Sequence, residues 1–229
     1  MDMMKAAFYD GKGQMQVKEY PKPIAGPEEV VVEVKATGIC GSDLQMKADQ
    51  TEADDDPVGH EVAGTIIEIG EGVSESMLGK RVAMEIIGHG RACMICWYCR
   101  IGQYKQCLDV KDIPGGGFAQ YIKRKAVGCY ELTDNLSWEE GALVEPFAVS
   151  LHGVRRGGLM GDETVVVLGS GNIGLTAVAA ARALGAGKIF ATARHDQQAS
   201  MARLLGADYT YRPDDPAFKE AVLDCTGGR

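Results

Sequence analysis

Val165-Val166-Val167-Leu168-Gly169-Ser170-Gly171-Asn172-Ile173-Gly174 is the stretch that decides the fold. Four consecutive apolar residues, three of them β-branched, suit a strand of a parallel sheet, where both faces are covered. They run directly into a G-x-G-x-x-G turn. Leu175 to Leu184 then reads as an Ala-rich helix with no Gly or Pro inside, Gly185-Ala186-Gly187 ends it, and Ile189-Phe190-Ala191-Thr192 is the next strand. In this strand–turn–helix–strand context the glycines predict a dinucleotide site. Gly169, Gly171, Asn172, Ile173 and Gly174 would lie against the pyrophosphate, held by the free N–H groups of the helix N-terminus. A tight βα turn without a ligand uses the same residue types and stays open at this point.

The end of the second strand bears on which nucleotide is bound. A carboxylate there would take the 2′-OH of NAD. Here Ala193 stands in that place, followed by Arg194 and His195. Loss of the carboxylate removes repulsion against a 2′-phosphate, and Arg194 can pair with one, so NADP is favoured. Asp196 lies a few residues late and keeps NAD open.

Upstream, Val30, Val32 and Val34 alternate with Val31, Glu33 and Lys35 in a strand that follows a turn marked by Pro21, Pro23, Gly26 and Pro27. It delivers Gly38-Ile39-Cys40-Gly41-Ser42-Asp43, with Ser42 or Asp43 as the N-cap of a short helix. Gly59-His60-Glu61 follows an acidic loop, Asp49 to Asp56, read as a solvated surface segment. A thiol, an imidazole and a carboxylate in Gly-rich turns are the S, N and O donors of a catalytic zinc. His60 and Glu61 would face opposite sides of a straight strand, so both reach one ion only if the backbone bends at Gly59.

Cys93, Cys96, Cys99 and Cys107 have the spacing C-x2-C-x2-C-x7-C. Four thiolates on short loops suit a closed structural zinc site. Disulfides and an iron–sulfur cluster are the competing uses, and a reducing compartment disfavours the first. Ser137 to Glu140 has the form of a capping box opening a helix. Glu145-Pro146 falls within the apolar region that follows, with the carboxylate either on the surface at a kink or in a site. His89, His152 and His195 read as ordinary packed or exposed histidines, and Cys129 and Cys225 as small apolar residues.

The 229 residues suffice for one large domain or two modest ones, with 45% hydrophobic and 24% charged residues and a formal net charge of -8. That charge argues against a nucleic-acid partner held by a basic field. There is no run of about 18 apolar residues to span a membrane, and the N-terminus lacks the apolar core of a signal peptide. The cytoplasm is the expected compartment.

Taken in order, these motifs resemble the zinc-dependent medium-chain dehydrogenase/reductase family, over the chain from Met4-Lys5-Ala6-Ala7 to Gly227-Gly228-Arg229. Val144-Glu145-Pro146-Phe147 looks like the polyol branch, the sorbitol, threonine and butanediol dehydrogenases. The resemblance implies a chaperonin-10-like (GroES-like), β-rich barrel domain over residues 1–150. An incomplete α/β Rossmann domain would follow over 151–229. It implies catalytic zinc on Cys40, His60 and either Glu61 or Glu145, with structural zinc on the four-cysteine lobe. It also implies hydride transfer between a secondary alcohol, or its ketone, and NAD(P), with Ser42 relaying the hydroxyl proton. Relatives in the family are often dimers or tetramers, so a homo-oligomer is compatible.

The chain departs from the family pattern in three places. Gln45 stands where many members carry a relay histidine, and Met94 replaces the glycine usual after the first structural cysteine. Family members also continue for a further stretch of Rossmann sheet, so this chain is expected to be a fragment whose first nucleotide-domain strand is an open edge. A non-catalytic zinc-stabilised module that pairs through that edge is the alternative reading.

Overall fold

The computed structural model describes residues 2–49, 52–86 and 88–228. Parts of three expectations therefore lie outside the described residues: Met1 of the N-terminus, Gln50 and Thr51 of the acidic loop, and Arg229 at the end of the resemblance. The chain divides into two compact units, Met1–Glu145 and Pro146–Arg229.

The first unit is built on antiparallel strands. A hairpin pairs β1 (Met3–Tyr9) with β2 (Met15–Pro21). β3 (Glu29–Gly38) leads into helix α1 (Gly41–Asp49), then β4 (Glu61–Ile69) and β5 (Arg81–Met84). Short helix α2 (Trp97–Arg100) lies in the cysteine lobe, and β6 (Tyr121–Lys125) and β7 (Cys129–Glu131) return to the sheet, whose order is β6-β3-β4-β5-β7. Helix α3 (Trp138–Ala142) closes against it. The Ser137–Glu140 capping box forms, Glu140 N–H donating to Ser137 Oγ at 3.1 Å and Ser137 N–H to Glu140 Oε2 at 2.7 Å.

The core of this unit is Val30, Val32, Val62, Ile66, Val82, Met84, Ile86 and Ile122. Val30, Val31 and Val32 are all fully buried, so β3 does not follow the expected in–out alternation. It is the middle of the sheet's first three strands and is covered on both faces, with register shifts at Val31/Val32 and Val34/Ala36. Each such valine contributes about 1.5–3 kcal/mol of burial.

The acidic loop is also less free than its charge suggests. Asp54 N–H donates to the Tyr9 carbonyl at 2.9 Å, and Tyr20 Oη donates to Asp56 Oδ1. Tyr9 N–H also donates to Asp54 Oδ2 at 3.3 Å, so the Asp54 and Asp56 carboxylates dock the loop onto the hairpin.

Helix α4 (Val144–Arg156) begins at the end of the first unit, and the second unit continues with β8 (Thr164–Val167), α5 (Asn172–Ala183), β9 (Lys188–Thr192), α6 (Asp196–Leu204), β10 (Tyr209–Tyr211) and α7 (Pro216–Thr226). All strand pairs are parallel, in the order β10-β9-β8. Val178, Ala181, Ala186, Ile189, Ala191, Ala202 and Ala207 form the core. Their small size lets the helices lie close on the sheet. Among the described residues β8 is an edge strand, with Val166 39% exposed. Pro146 sits in the first turn of α4, where its missing N–H costs no helix bond, and so it produces no interior kink. Cys225 is exposed, contrary to its reading as a small apolar residue.

Candidate functional site

Strand register sets up the first cluster. Gly38 at the end of β3 pairs with Glu61 at the start of β4. Cys40 lies two residues beyond Gly38, and His60 one residue before Glu61, so all three side chains emerge at the same end of the ladder. The bend required between His60 and Glu61 is present. Gly59 has φ +93°, and a Cβ there would strike the Phe118 ring at 2.8 Å. One ligand atom each from Cys40, His60 and Glu61 falls within 4.8 Å of the others. Glu61 is 8% exposed. Its carboxylate lies over Gly38, where a Cβ would come within 2.0 Å of Oε2.

Asp43 was assigned only a capping role from the sequence, and the structure gives it a larger one. Its Oδ2 accepts from Cys40 N–H at 2.9 Å, and its Oδ1 lies 3.5 Å from His60 Nδ1. One carboxylate in the first turn of α1 therefore holds the backbone of one donor residue and the ring of another. The helix itself begins at Gly41, slightly before the predicted Ser42 or Asp43, because Asp43 caps backward onto Cys40. The available signal was the spacing, an acid three residues after a candidate ligand.

Ser42 is exposed in the same turn. Glu145, in the first turn of α4, is not among the converging ligand atoms. Burial raises its carboxyl above the ordinary value; the charge on His60 opposes this, and Glu61, Glu85 and Asp43 add to it. It therefore feels the cluster without joining it.

The four sulfurs of Cys93, Cys96, Cys99 and Cys107 also lie within 4.8 Å of one another. Cys96 and Cys99 Sγ are 3.5 Å apart and Cys93 and Cys99 Sγ 3.9 Å, so the thiols are unpaired. Backbone N–H groups point at them. Cys93 N–H donates to Cys107 Sγ at 3.3 Å and Cys96 N–H to Cys93 Sγ at 3.4 Å. Such donors, from Leu108 and Cys99, hold the Cys96 thiol down to about 6, while burial pushes Cys99 up to about 12. Four thiolates this close ionise together only around a cation, and the donor set fits Zn²⁺. Met94 has φ +63°, so the position asks for a glycine, and the methionine there carries strain.

The predicted nucleotide turn forms in the second unit. Gly169 has φ +99°, and a Cβ on Gly174 would meet the Gly169 carbonyl oxygen at 1.8 Å. Gly169 N–H donates to Thr192 Oγ1 and Ser170 Oγ to the Thr192 carbonyl, both at 2.9 Å, which locks the tips of β8 and β9 together. Gly171 caps α5 with no side chain, so the N–H groups beside Asn172 and Ile173 remain available. A cavity of about 510 Å³ opens here between Gly169, Gly171, Thr192, Arg194, Gln198 and Phe218. The glycine cradle and the free helix N-terminus fit a dinucleotide pyrophosphate.

Ala193 is buried and offers no carboxylate to a ribose, and Arg194 is exposed beside the cavity. Asp196, the late acid, is engaged by Arg212 Nη2 at 2.7 Å. Arg212, which the sequence did not single out, also donates to the Arg194 carbonyl. It reaches them from beyond the end of β10, a placement that only the parallel sheet creates. His195 caps α6, His152 lies exposed on α4, and His89 Nδ1 lies 2.8 Å from Tyr130 Oη.

Residues 26–134 match the family model of the alcohol dehydrogenase GroES-like domain, and residues 172–229 that of zinc-binding dehydrogenases. The chain is 37% identical to sorbitol dehydrogenase of Bacillus subtilis (strain 168) over 99% of its own length and 66% of the relative's. It is 33% identical to sorbitol dehydrogenase of Bos taurus, over 95% of this chain and 67% of that one. A crystal structure described as a putative zinc-binding dehydrogenase from Sinorhizobium meliloti 1021 bound to NADP superposes with a TM-score of 0.79 at 31% identity, over 93% of this chain and 63% of that one. The chain spans 57% to 67% of the length of the curated relatives it matches. The metal-donor clusters, the glycine turn and these likenesses together establish that the chain belongs to the zinc-dependent medium-chain alcohol dehydrogenase family, on its polyol-dehydrogenase branch.

Proposed function

We propose that this chain carries the zinc-holding and nucleotide-holding parts of an NAD(P)-dependent polyol or secondary-alcohol dehydrogenase. Residues 1–150 would form the zinc domain and 151–229 the nucleotide domain. The observation that carries the reading is the convergence of Cys40, His60 and Glu61 donor atoms within 4.8 Å at one end of the β3–β4 ladder. Zinc bound there would supply Lewis-acid polarisation of an alcohol or carbonyl oxygen. Asp43 holds the His60 ring and the Cys40 backbone in place for it. Ser42, exposed and two residues from Cys40, is suited to pass the hydroxyl proton to solvent. Glu145 is the alternative oxygen donor to Glu61, by its resemblance to the polyol branch in Val144-Glu145-Pro146-Phe147.

For the cofactor, buried Ala193 and exposed Arg194 favour NADP over NAD, in keeping with the NADP carried by the Sinorhizobium relative. Sorbitol-type polyols and their ketones are the favoured substrates, by similarity to the relatives. No described helix is long and apolar enough to cross a membrane. The unpaired cysteines fit the reducing cytoplasm.

Zinc analysis of the full chain tests the proposal. The expected result is two zinc ions per chain, with Cys40→Ala losing one and Cys99→Ala the other. A single zinc that survives Cys40→Ala would overturn the catalytic-zinc reading.

A further inference from the structure

Arg124 is the only arginine among the buried polar residues of the described chain, at 3% exposure, on β6. Four hydrogen bonds from its guanidinium go to carbonyl oxygens. Nε donates to Ile86 at 3.3 Å, Nη1 to Pro114 at 3.3 Å and to Lys123 at 2.6 Å, and Nη2 to Gly115. Burial lowers its pKa to about 10, so it keeps its charge at neutral pH. A buried guanidinium whose donors go to backbone is a costly arrangement, and it persists where the loops it ties together must be held.

The loop it ties most directly begins at Pro114 and Gly115 and continues through Gly116, Gly117 and Phe118. That loop lies flat on the segment leading to His60. A Cβ on Gly116 would meet the Pro57 and Val58 carbonyl oxygens at 2.5 Å. Gly117 N–H donates to the Gly59 carbonyl and Phe118 N–H to the Val58 carbonyl, both at 2.8 Å. The Phe118 ring fills the space beside Gly59. The contacts therefore run from Arg124 to Gly115, along the loop to Gly117 and Phe118, and across to Gly59, the neighbour of His60. Of the other two acceptors, Ile86 lies just past the end of β5 and Lys123 on β6 itself.

We propose that Arg124 is a positioning residue for the metal cluster. It pins the 114–118 loop against residues 57–59 and so fixes the bend that brings His60 towards Cys40 and Glu61. The fork geometry matters, because one guanidinium serves several carbonyls at once, which the single ammonium of a lysine does not reproduce. The metal part of this inference rests on the zinc reading above.

The test compares Arg124→Lys and Arg124→Met with Arg81→Lys in the full zinc-loaded chain. Arg81 also donates to three carbonyls, those of Thr133, Asp134 and Leu136, but it pairs with Thr65, away from the His60 end of the β4–β5 ladder. Two quantities are read, amide hydrogen exchange by residue and zinc release from each site to a chromophoric chelator. In Arg124→Lys, exchange at Gly117 and Phe118 should rise about 10-fold or more over the rest of β6 and β4. Zinc at Cys40 should weaken about 10–100-fold while the four-cysteine zinc is unchanged. Arg81→Lys should lower Tm without either effect. If Arg124→Met does not fold, Arg124→Lys carries the comparison. Exchange at Gly117 and Phe118 that matches Arg81→Lys, or unchanged affinity at the Cys40 site, overturns the proposal. If the wild type holds zinc only at the four cysteines, the zinc reading fails and the exchange result alone decides whether Arg124 positions the loop.

Discussion

Asp43 Oδ1 lies 3.5 Å from His60 Nδ1, and the same carboxylate accepts from Cys40 N–H at 2.9 Å. Side chains of both residues are largely buried, Asp43 at 8% exposure and His60 at 16%. The contact links a helix turn to a strand start and orients two donors through one group. Replacing Asp43 with Ala should therefore weaken zinc at the Cys40 site by about 10–100-fold and leave the four-cysteine site untouched. Competition against a chelator of known affinity checks this; equal weakening at both sites would point to general unfolding instead.

Gly38 is the neighbour that lets Glu61 stay. A Cβ at Gly38 would approach Glu61 Oε2 to 2.0 Å, so Gly38→Ala forces the carboxylate away. The expected cost is about 1–3 kcal/mol of stability, together with loss of zinc at this site. Urea unfolding and zinc content measured on the same sample read both effects. A variant with unchanged zinc would show that Glu61 is dispensable as an oxygen donor.

Met94 adopts φ +63° inside the cysteine lobe. A left-handed conformation costs an L-residue about 1–2 kcal/mol, partly offset by the extra entropy that a glycine loses on folding. Met94→Gly should stabilise the zinc-loaded lobe by up to about 1 kcal/mol. The measurement is the denaturant midpoint with zinc in excess, and a lower midpoint would contradict the strain argument.

Arg194 lines the cavity at the glycine turn and follows Ala193, which stands where a carboxylate would otherwise discriminate against a 2′-phosphate. A charge-assisted hydrogen bond is worth about 1.5–3 kcal/mol, so Arg194→Ala should weaken NADPH binding by about 10–100-fold. NADH binding should change little. Fluorescence titration of both nucleotides decides it, and equal losses for the two would remove Arg194 from the discrimination.

The Tyr20–Asp56 contact predicts an alkaline limb. Burial first, then the hydrogen bond and charge of Asp56, raise the Tyr20 phenol from 10.0 to about 12. Between these values the unfolded chain has lost the proton and the folded chain still holds it. Stability is therefore full below about 10 and falls as the pH rises toward about 12. Tyr20→Phe should flatten that limb. Urea midpoints across the range test it, and an unchanged slope in the variant would assign the limb to other groups.

Much of the site was legible because its donors are unusual residue types at tight spacing. Cys93 to Cys107 declares itself within fifteen positions, and the Gly169–Gly174 turn is local to one strand–helix junction. Asp43 was visible but under-read, since its reach to His60 depends on the register of Gly38 with Glu61. Val31 misled the alternation argument because covering on both faces of β3 is a property of neighbouring strands. The acidic loop was under-read for a similar reason: its Asp54 and Asp56 carboxylates are held by Tyr9 and Tyr20, 45 and 36 residues away in sequence.

The sequence by itself determined the two-part organisation, the donor types and the nucleotide turn, because glycines, cysteines and apolar periodicity act over a few residues. Only the tertiary structure decided that Asp43 reaches both His60 and Cys40, that Arg212 engages Asp196, and that Glu61 converges with Cys40. Those outcomes depend on strand register and on long side chains reaching between loops, distances that no local pattern encodes.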